Sequence, residues 1–387
     1  MQVKGNNRKV YIYSLLIVVL LFSLVSGKVQ AAPSVSSQRA ILMDQETGRV
    51  LYEKDADEKS RIASITKIMT AILAVESGKL DRDVTVPDDA VRTEGSSLYL
   101  KAGEKIKLED LVYGLMLRSG NDAAVTIADY VGGSLDGFVY MMNEKAREIG
   151  MENTHFANPH GLDDHEDHYS TARDMAILTR YAMKNERYAE IAGTKLHTAP
   201  NPEEKWDRKW KNKNRLLTEL YKYSTGGKTG FTKRAKRTLV STASKDGENL
   251  IAVTLNGPDD WNDHISMFEY GFKQYDYKIV IAKGKIENID DPIYQGHVRV
   301  DRDAVLTLQK NEVDGVRVEY RMMKPEKKWA DGKGAPDVVG NALVYLDDEQ
   351  VDSLPVYFES GSKPEKKSWW KLWAGSIQSV FGVNGNG

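Results

Sequence analysis

The sequence predicts an α+β protein: an antiparallel sheet with helices on its faces, then a small all-β unit, then a C-terminal amphipathic helix. Three observations predict it. Strand patterns stand at both ends of a helix-rich stretch between about residues 40 and 275, the order left in a chain by helices packed on an antiparallel sheet. After residue 275 the pattern changes to short β-rich segments divided by turn residues, over a length within the usual domain range. Past residue 360, tryptophans and apolar residues recur at helical spacing among lysines.

Residues 1–31 read as an export signal. Lys4, Arg8 and Lys9 precede a mostly apolar run over 10–25, and Val29-Gln30-Ala31 supplies small residues for cleavage. The run is shorter than the roughly 20 residues of a membrane-spanning helix; an uncleaved signal anchor is the alternative. Residues 40–44 and 49–52 form a hairpin through Gln45-Glu46-Thr47-Gly48. A strongly apolar helix covers 65–73 and stops near Gly78. Two more, 108–117 and 123–130, meet at Arg118-Ser119-Gly120-Asn121-Asp122, and 138–149 and 172–183 add others. Strands at 238–243 and 249–255 turn at Lys245-Asp246-Gly247.

Short strands follow at 277–282, 298–300, 316–322, 338–345 and 354–358. The expected division is a signal at 1–31, a main domain at 32–275, a small β-rich domain at 276–360 and a tail at 361–387. In the tail, Trp370, Trp373, Ile377 and Val380 share one helical face, with Lys363, Lys366, Lys367 and Lys371 at the near end. Tryptophan favours the headgroup layer, and so short and charged a helix lies on a bilayer rather than crossing it. A helix docked on the protein's own core is the alternative.

Composition narrows the chemistry. A net charge of −2 carries no basic footprint for nucleic acid. The absence of cysteine excludes disulfides, thiol catalysis, Cys-bound zinc and iron–sulfur clusters.

Three motifs remain. Ser64-Ile65-Thr66-Lys67 is one of three Ser-x-x-Lys matches, the others starting at Ser360 and Ser368. Only Ser64 opens a long apolar helix, where residues i and i+3 share a face and Lys67 projects beside the hydroxyl. A lysine in a dry site loses its proton near neutral pH and can act as a base. Taken alone, an N-cap serine beside a solvated lysine explains the motif as well. Ser119-Gly120-Asn121 joins two helices, where a hydroxyl and an amide can be aimed into a cleft; an ordinary pair of helix caps is the plainer reading. Lys228-Thr229-Gly230 follows two glycines, but position 222 is lysine and a strand follows, so no phosphate loop is formed.

Together, in this order, Ser-x-x-Lys, Ser-x-Asn and Lys-Thr-Gly match the set of serine β-lactamases and penicillin-binding proteins. The chain resembles low-molecular-mass (type-5) penicillin-binding proteins, serine D-alanyl-D-alanine carboxypeptidases, over essentially its whole length. Arg61-Ile62-Ala63-Ser64-Ile65-Thr66-Lys67-Ile68-Met69-Thr70, Ser119-Gly120-Asn121-Asp122-Ala123 and His160-Gly161-Leu162-Asp163 stand close to that family's pattern. Its nearest resemblance is to the sporulation-associated branch.

The resemblance implies a transpeptidase/serine β-lactamase-like main domain, with Ser64 as nucleophile, Lys67 as its base and Ser119 as proton relay. It implies that Asn121, Lys228, Thr229 and Gly230 bind substrate, and that the backbone N–H groups of Ser64 and Phe231 form the oxyanion hole. The implied partners are peptidoglycan stem peptides, β-lactam inhibitors and the outer face of the cytoplasmic membrane, reached through the C-terminal helix. No cofactor, metal or nucleic acid is implied.

Two departures stand out. The family's usual arginine after the strand following Lys-Thr-Gly is missing, since no Arg lies between Arg237 and Arg299. Carboxylate binding is left to Lys228 and Thr229, with Lys213 or Arg237. The usual histidine after Lys-Thr-Gly is Phe231. The histidines His155, His160, His165 and His168 cluster among acids, but His165-Glu166-Asp167-His168 is one residue short of a zinc helix motif. A β-lactamase using Glu166 or Asp164 to activate water, a D,D-endopeptidase and an inert wall-binding protein are the rival readings.

Overall fold

The computed structural model describes residues 32–201, 204–287, 289–331 and 334–359. The signal at 1–31 and the tail at 361–387 lie outside the described residues. Among those described, no helix is long and apolar enough to cross a membrane.

The chain begins with β1 (Arg39–Asp44) and β2 (Val50–Lys54), the hairpin read from the sequence. A 3-10 turn, Ala63–Thr66, leads into α1 (Lys67–Glu76). The helical lobe contains β3 (Asp83–Thr85), α2 (Asp88–Val91), β4 (Lys105–Lys107), α3 (Leu108–Arg118), α4 (Asn121–Gly132) and α5 (Leu135–Glu148). It is followed by α6 (Ala172–Met183), α7 (Glu186–Gly193) and a hairpin, β5 (Leu196–Ala199) with β6 (Arg208–Lys211). The chain then re-enters the main sheet through β7 (Ser224–Thr232), β8 (Lys236–Lys245) and β9 (Glu248–Leu255), and covers it with α8 (Asp260–Gln274).

The main sheet is antiparallel, in the order β2-β1-β9-β8-β7. Its strands alternate between two cores, as a period of two requires. Ile41, Met43, Val240, Ile251 and Val253 face the helical lobe and α6. Ala40, Leu42, Leu239, Leu250 and Ala252 face Met267 and Phe268 of α8. Register holds the pattern, with Ile41 opposite Val253 and Leu42 opposite Ala252. Helix α8 is absent from the sequence reading. Met267, Phe268 and Gly271 are its buried apolar residues, with Trp261, Ile265 and Phe272 packed on the same core at helical spacing, but the buried Asp260, Asp263 and His264 break up the apolar run.

The C-terminal β region has a separate apolar core around Val298, Val300, Val344, Leu354 and Val356. β10 (Tyr275–Ile281) pairs with a strand the sequence left out, β13 (Ala304–Gln309). β11 (Gly284–Lys285), β12 (Val298–Val300), β14 (Val316–Met322), β15 (Val338–Leu346) and β16 (Glu349–Phe358) form the second sheet, ordered β11-β12-β16-β15-β14. Arg49 in β1–β2 reaches this region, meeting both carboxylate oxygens of Glu312 at 2.9 and 2.5 Å.

Candidate active site

The three motifs converge where the 3-10 turn, the α3–α4 junction and the edge strand β7 meet. Ser64 sits in the turn rather than in the α-helix expected from the sequence. That turn starts from Ala63, which is left-handed at φ 49°. Ser119 is the left-handed cap of α3 at φ 67°, so the chain swings its hydroxyl back toward β7 before α4 begins. Lys228, Thr229 and Gly230 lie within β7 itself, and the strand expected after them is β8.

Two glycines make the assembly possible. A Cβ on Gly230 would lie 2.9 Å from the backbone nitrogen of Ser64 and 2.3 Å from Thr238 Oγ1, so only glycine lets the edge strand pass this close. Gly161, at φ 85°, brings the 158–168 loop against the nucleophile turn, where a Cβ would lie 1.9 Å from the carbonyl oxygen of Ala63.

Lys67 is completely buried. Its Nζ lies 3.0 Å from Ser64 Oγ, 2.7 Å from Asn121 Oδ1 and 2.6 Å from the His160 carbonyl oxygen. Burial pushes its pKa well below the ordinary lysine value, and the charges of Lys228 and Lys213 push it further; Asp122 opposes them. A neutral amine has two N–H donors and one lone pair. Asn121 Oδ1 and the His160 carbonyl accept those two hydrogens, which leaves the lone pair for the Ser64 hydroxyl.

Lys228 is the second buried lysine. Its Nζ donates to Ser119 Oγ at 3.0 Å and to the Thr229 carbonyl at 2.8 Å. Burial, then the charge of Lys213, lowers its pKa to about 7. A third lysine, Lys213, is exposed and donates to Ser96 Oγ at 3.3 Å. Its pKa is lowered by burial and by Arg118, and it has no ion pair among the described residues. Arg237 is committed elsewhere. Its guanidinium meets Asp260 Oδ1 at 3.0 and 2.6 Å and lies over the Trp261 ring, which corrects its candidacy as a carboxylate anchor.

A cavity of about 340 Å³ opens on this cluster, lined in part by Ser64, Ser96, Asn121, Leu162 and Phe231. Asn121 touches both the cavity and the base. Its Nδ2 donates to the Glu94 carbonyl at 2.5 Å, which holds the amide in place.

The histidine-rich loop has separate jobs. His160 supplies its carbonyl to Lys67, while its ring Nδ1 accepts from the Leu162 backbone N–H. His168 accepts from the Ala157 N–H through Nδ1 and meets Thr66 Oγ1 through Nε2 at 2.9 Å. Burial holds both imidazoles neutral, at about 3. Glu166 lies between Arg234 and Arg61, with contacts of 2.6 and 2.7 Å, and its pKa is held at about 2, chiefly by the hydrogen bond from Arg234. Asp164 accepts from Asn158 Nδ2 at 2.6 Å. Both carboxylates that could have activated a water are thus tied to other partners.

Sequence reasoning missed the His160 carbonyl and the role of Asp122. This buried carboxylate accepts from the N–H groups of Leu98 and Leu100 and from Ser97 Oγ, fixing the loop that carries Ser96. An acid directly after Ser-x-Asn was the one available signal.

Comparison with known proteins agrees with this geometry. The D-alanyl-D-alanine carboxypeptidase model of peptidase family S11 matches residues 26–259. D-alanyl-D-alanine carboxypeptidase DacF of Bacillus subtilis is 33% identical over 328 residues, covering 78% of this chain and 80% of that protein. DacC of Escherichia coli is 32% identical and covers 84% of each chain. Penicillin binding protein 5 of Haemophilus influenzae superposes with a TM-score of 0.69 at 25% identity, over 86% of this chain and 98% of that structure. The chain belongs to the D-alanyl-D-alanine carboxypeptidase family, peptidase S11.

Proposed function

We propose that this serine D-Ala-D-Ala carboxypeptidase removes the terminal D-alanine of peptidoglycan stem peptides through an acyl-enzyme on Ser64. One observation carries the mechanism: a fully buried, charge-depleted Lys67 amine 3.0 Å from the Ser64 hydroxyl. Lys67 takes the hydroxyl proton as Ser64 Oγ attacks the carbonyl between the two D-alanines. The developing oxyanion is received by the backbone N–H groups of Ser64 and Phe231. Ser119, held by the Lys228 ammonium, gives its proton to the departing D-alanine and takes in exchange the one held by Lys67, which restores the neutral amine. Asn121 holds the substrate amide from the cavity wall. Lys228, Thr229 and Lys213, which has no ion pair among the described residues, receive the terminal carboxylate, and Lys213 takes up the task left open by the missing arginine. Water then hydrolyses the ester, with Lys67 again as base.

The same constellation makes β-lactams into inhibitors, because their strained amide occupies the place of the scissile bond. The pairing of Glu166 and Asp164 with other groups supports a carboxypeptidase over a β-lactamase. We take 32–275 as the peptidase domain and 276–360 as a separate β domain. The basic residues and apolar run of 1–31 support export, and the Trp-Lys stripe of the tail supports attachment to the outer membrane surface. A role in sporulation rests on the likeness to the sporulation-associated branch.

Brief exposure to penicillin followed by peptide mass spectrometry tests this reading, paired with D-alanine release from a diacyl-Lys-D-Ala-D-Ala analogue. An adduct on Ser64 with steady release supports it. An adduct on another serine, or rapid turnover of penicillin, overturns it.

A further inference from the structure

Tyr99 is held in left-handed backbone at φ 61°, and 85% of it is exposed. That conformation is costly for a residue with a bulky side chain and persists only where the surroundings impose it. Here they do. Leu98 and Leu100, on either side, are buried, and their N–H groups both bond to Asp122. The Tyr99 N–H donates to Ser97 Oγ at 2.8 Å, and Ser97 Oγ in turn donates to Asp122 at 2.6 Å. Leu98 is wedged against Gly114 and Gly120, where a Cβ would meet its side chain at 2.2 and 2.6 Å. The ring of Tyr99 is therefore displayed by a rigid mount.

A second exposed aromatic stands on a hairpin bound to the same loop. The β5–β6 hairpin carries Trp206, 65% exposed. The hairpin is tied to the loop after Tyr99 by Arg208–Glu104 at 2.9 Å and by Lys101–Glu204 at 3.5 Å. It runs on into Lys213, which meets Ser96 at the cavity. Tyr99 lies three residues from Ser96, within roughly 10 Å along the chain.

We propose that Tyr99 and Trp206 form a platform for the sugar that carries the stem peptide, so that the enzyme favours glycan-linked over free peptide. This rests on the peptidase reading of the Ser64 site. A stem peptide acylated at Ser64 runs back at about 3.4 Å per residue, which puts its sugar roughly 14 Å away after four residues. Ser96 lines the same cavity as Ser64, and Tyr99 follows it within a chain length of roughly 10 Å, inside that reach. A pyranose presents an apolar C–H face to an aromatic ring while its hydroxyls stay in water.

The test compares kcat/KM for D-alanine release from disaccharide-pentapeptide with that from the bare pentapeptide. The wild-type enzyme is expected to favour the disaccharide form. Tyr99→Gly, which removes the ring but accepts the left-handed backbone, should lower that preference about fivefold. Trp206→Ala, on the exposed hairpin, should lower it in the same direction, and Tyr99→Phe should keep it. An equal preference in wild type and both ring-deleted variants overturns the platform, as does a wild-type enzyme with no preference. Hydrolysis of the bare peptide by the wild type checks the Ser64 reading separately; if that fails, the peptidase reading falls and the platform with it.

Discussion

The amine of Lys67 stands 3.0 Å from the hydroxyl of Ser64, with no carboxylate bonded to it among the described residues. Its other two contacts are oxygen acceptors, so the site supplies what a neutral amine needs and nothing that would hold an ammonium as an ion pair. Most buried lysines are paired with an acid. This one instead feels the charges of two more lysines, and of its three hydrogen-bond partners among the described residues the Ser64 hydroxyl alone has a proton to give.

Replacing Lys67 by arginine keeps a positive charge and removes the base, because guanidinium stays protonated in proteins. Lys67→Arg should lower the rate of acylation by a fluorescent penicillin by about 10² or more, the usual contribution of a general base. Stopped-flow fluorescence measures the rate, and a circular dichroism melt checks that the variant is folded.

Lys213→Ala should raise KM for a D-Ala-D-Ala peptide about tenfold, in keeping with loss of one charge-assisted contact. A peptide amidated at its C-terminus has no carboxylate for Lys213 and should lose much less. Steady-state D-alanine release on the two peptides gives the comparison.

The pH profile follows from the two buried lysines. Lys67 must be neutral to act, so activity rises as pH climbs through its depressed pKa. Lys228 must be charged to hold Ser119 and the carboxylate, so kcat/KM falls as pH passes about 7. A bound carboxylate favours the ammonium, so the alkaline limb of kcat should lie at higher pH than that of kcat/KM. Initial rates across pH 5 to 10 (roughly the range in which lysines this perturbed titrate) would reveal both limbs.

Gly161→Ala places a methyl group on the Ala63 carbonyl at a left-handed position. It should destabilise the fold by about 2 kcal/mol or more and slow penicillin labelling of Ser64. Thermal melting and labelling rate should fall together.

Much of the site was legible because its chemistry is local. Ser64 and Lys67 are one turn apart, and Ser119 and Asn121 flank a single glycine at a helix junction, so short motifs captured them. The main hairpins and helices showed clear periods of two and 3.6. What stayed hidden is either backbone or distant in sequence. The His160 carbonyl that orients Lys67 has no side-chain signature, and Gly161 matters only through the approach of Ala63. The pairing of Arg237 with Asp260 is hidden because α8, which carries Asp260, mixes buried acids and a histidine into its apolar face.

The most direct measurement is the titration of Lys67 itself, followed by NMR of the enzyme labelled at lysine side chains, with Lys67→Arg used to assign the signal. A neutral-amine signal whose midpoint lies well below the ordinary lysine value of 10.5 is expected. A signal that remains ammonium up to about pH 10 would contradict Lys67 as the base for Ser64.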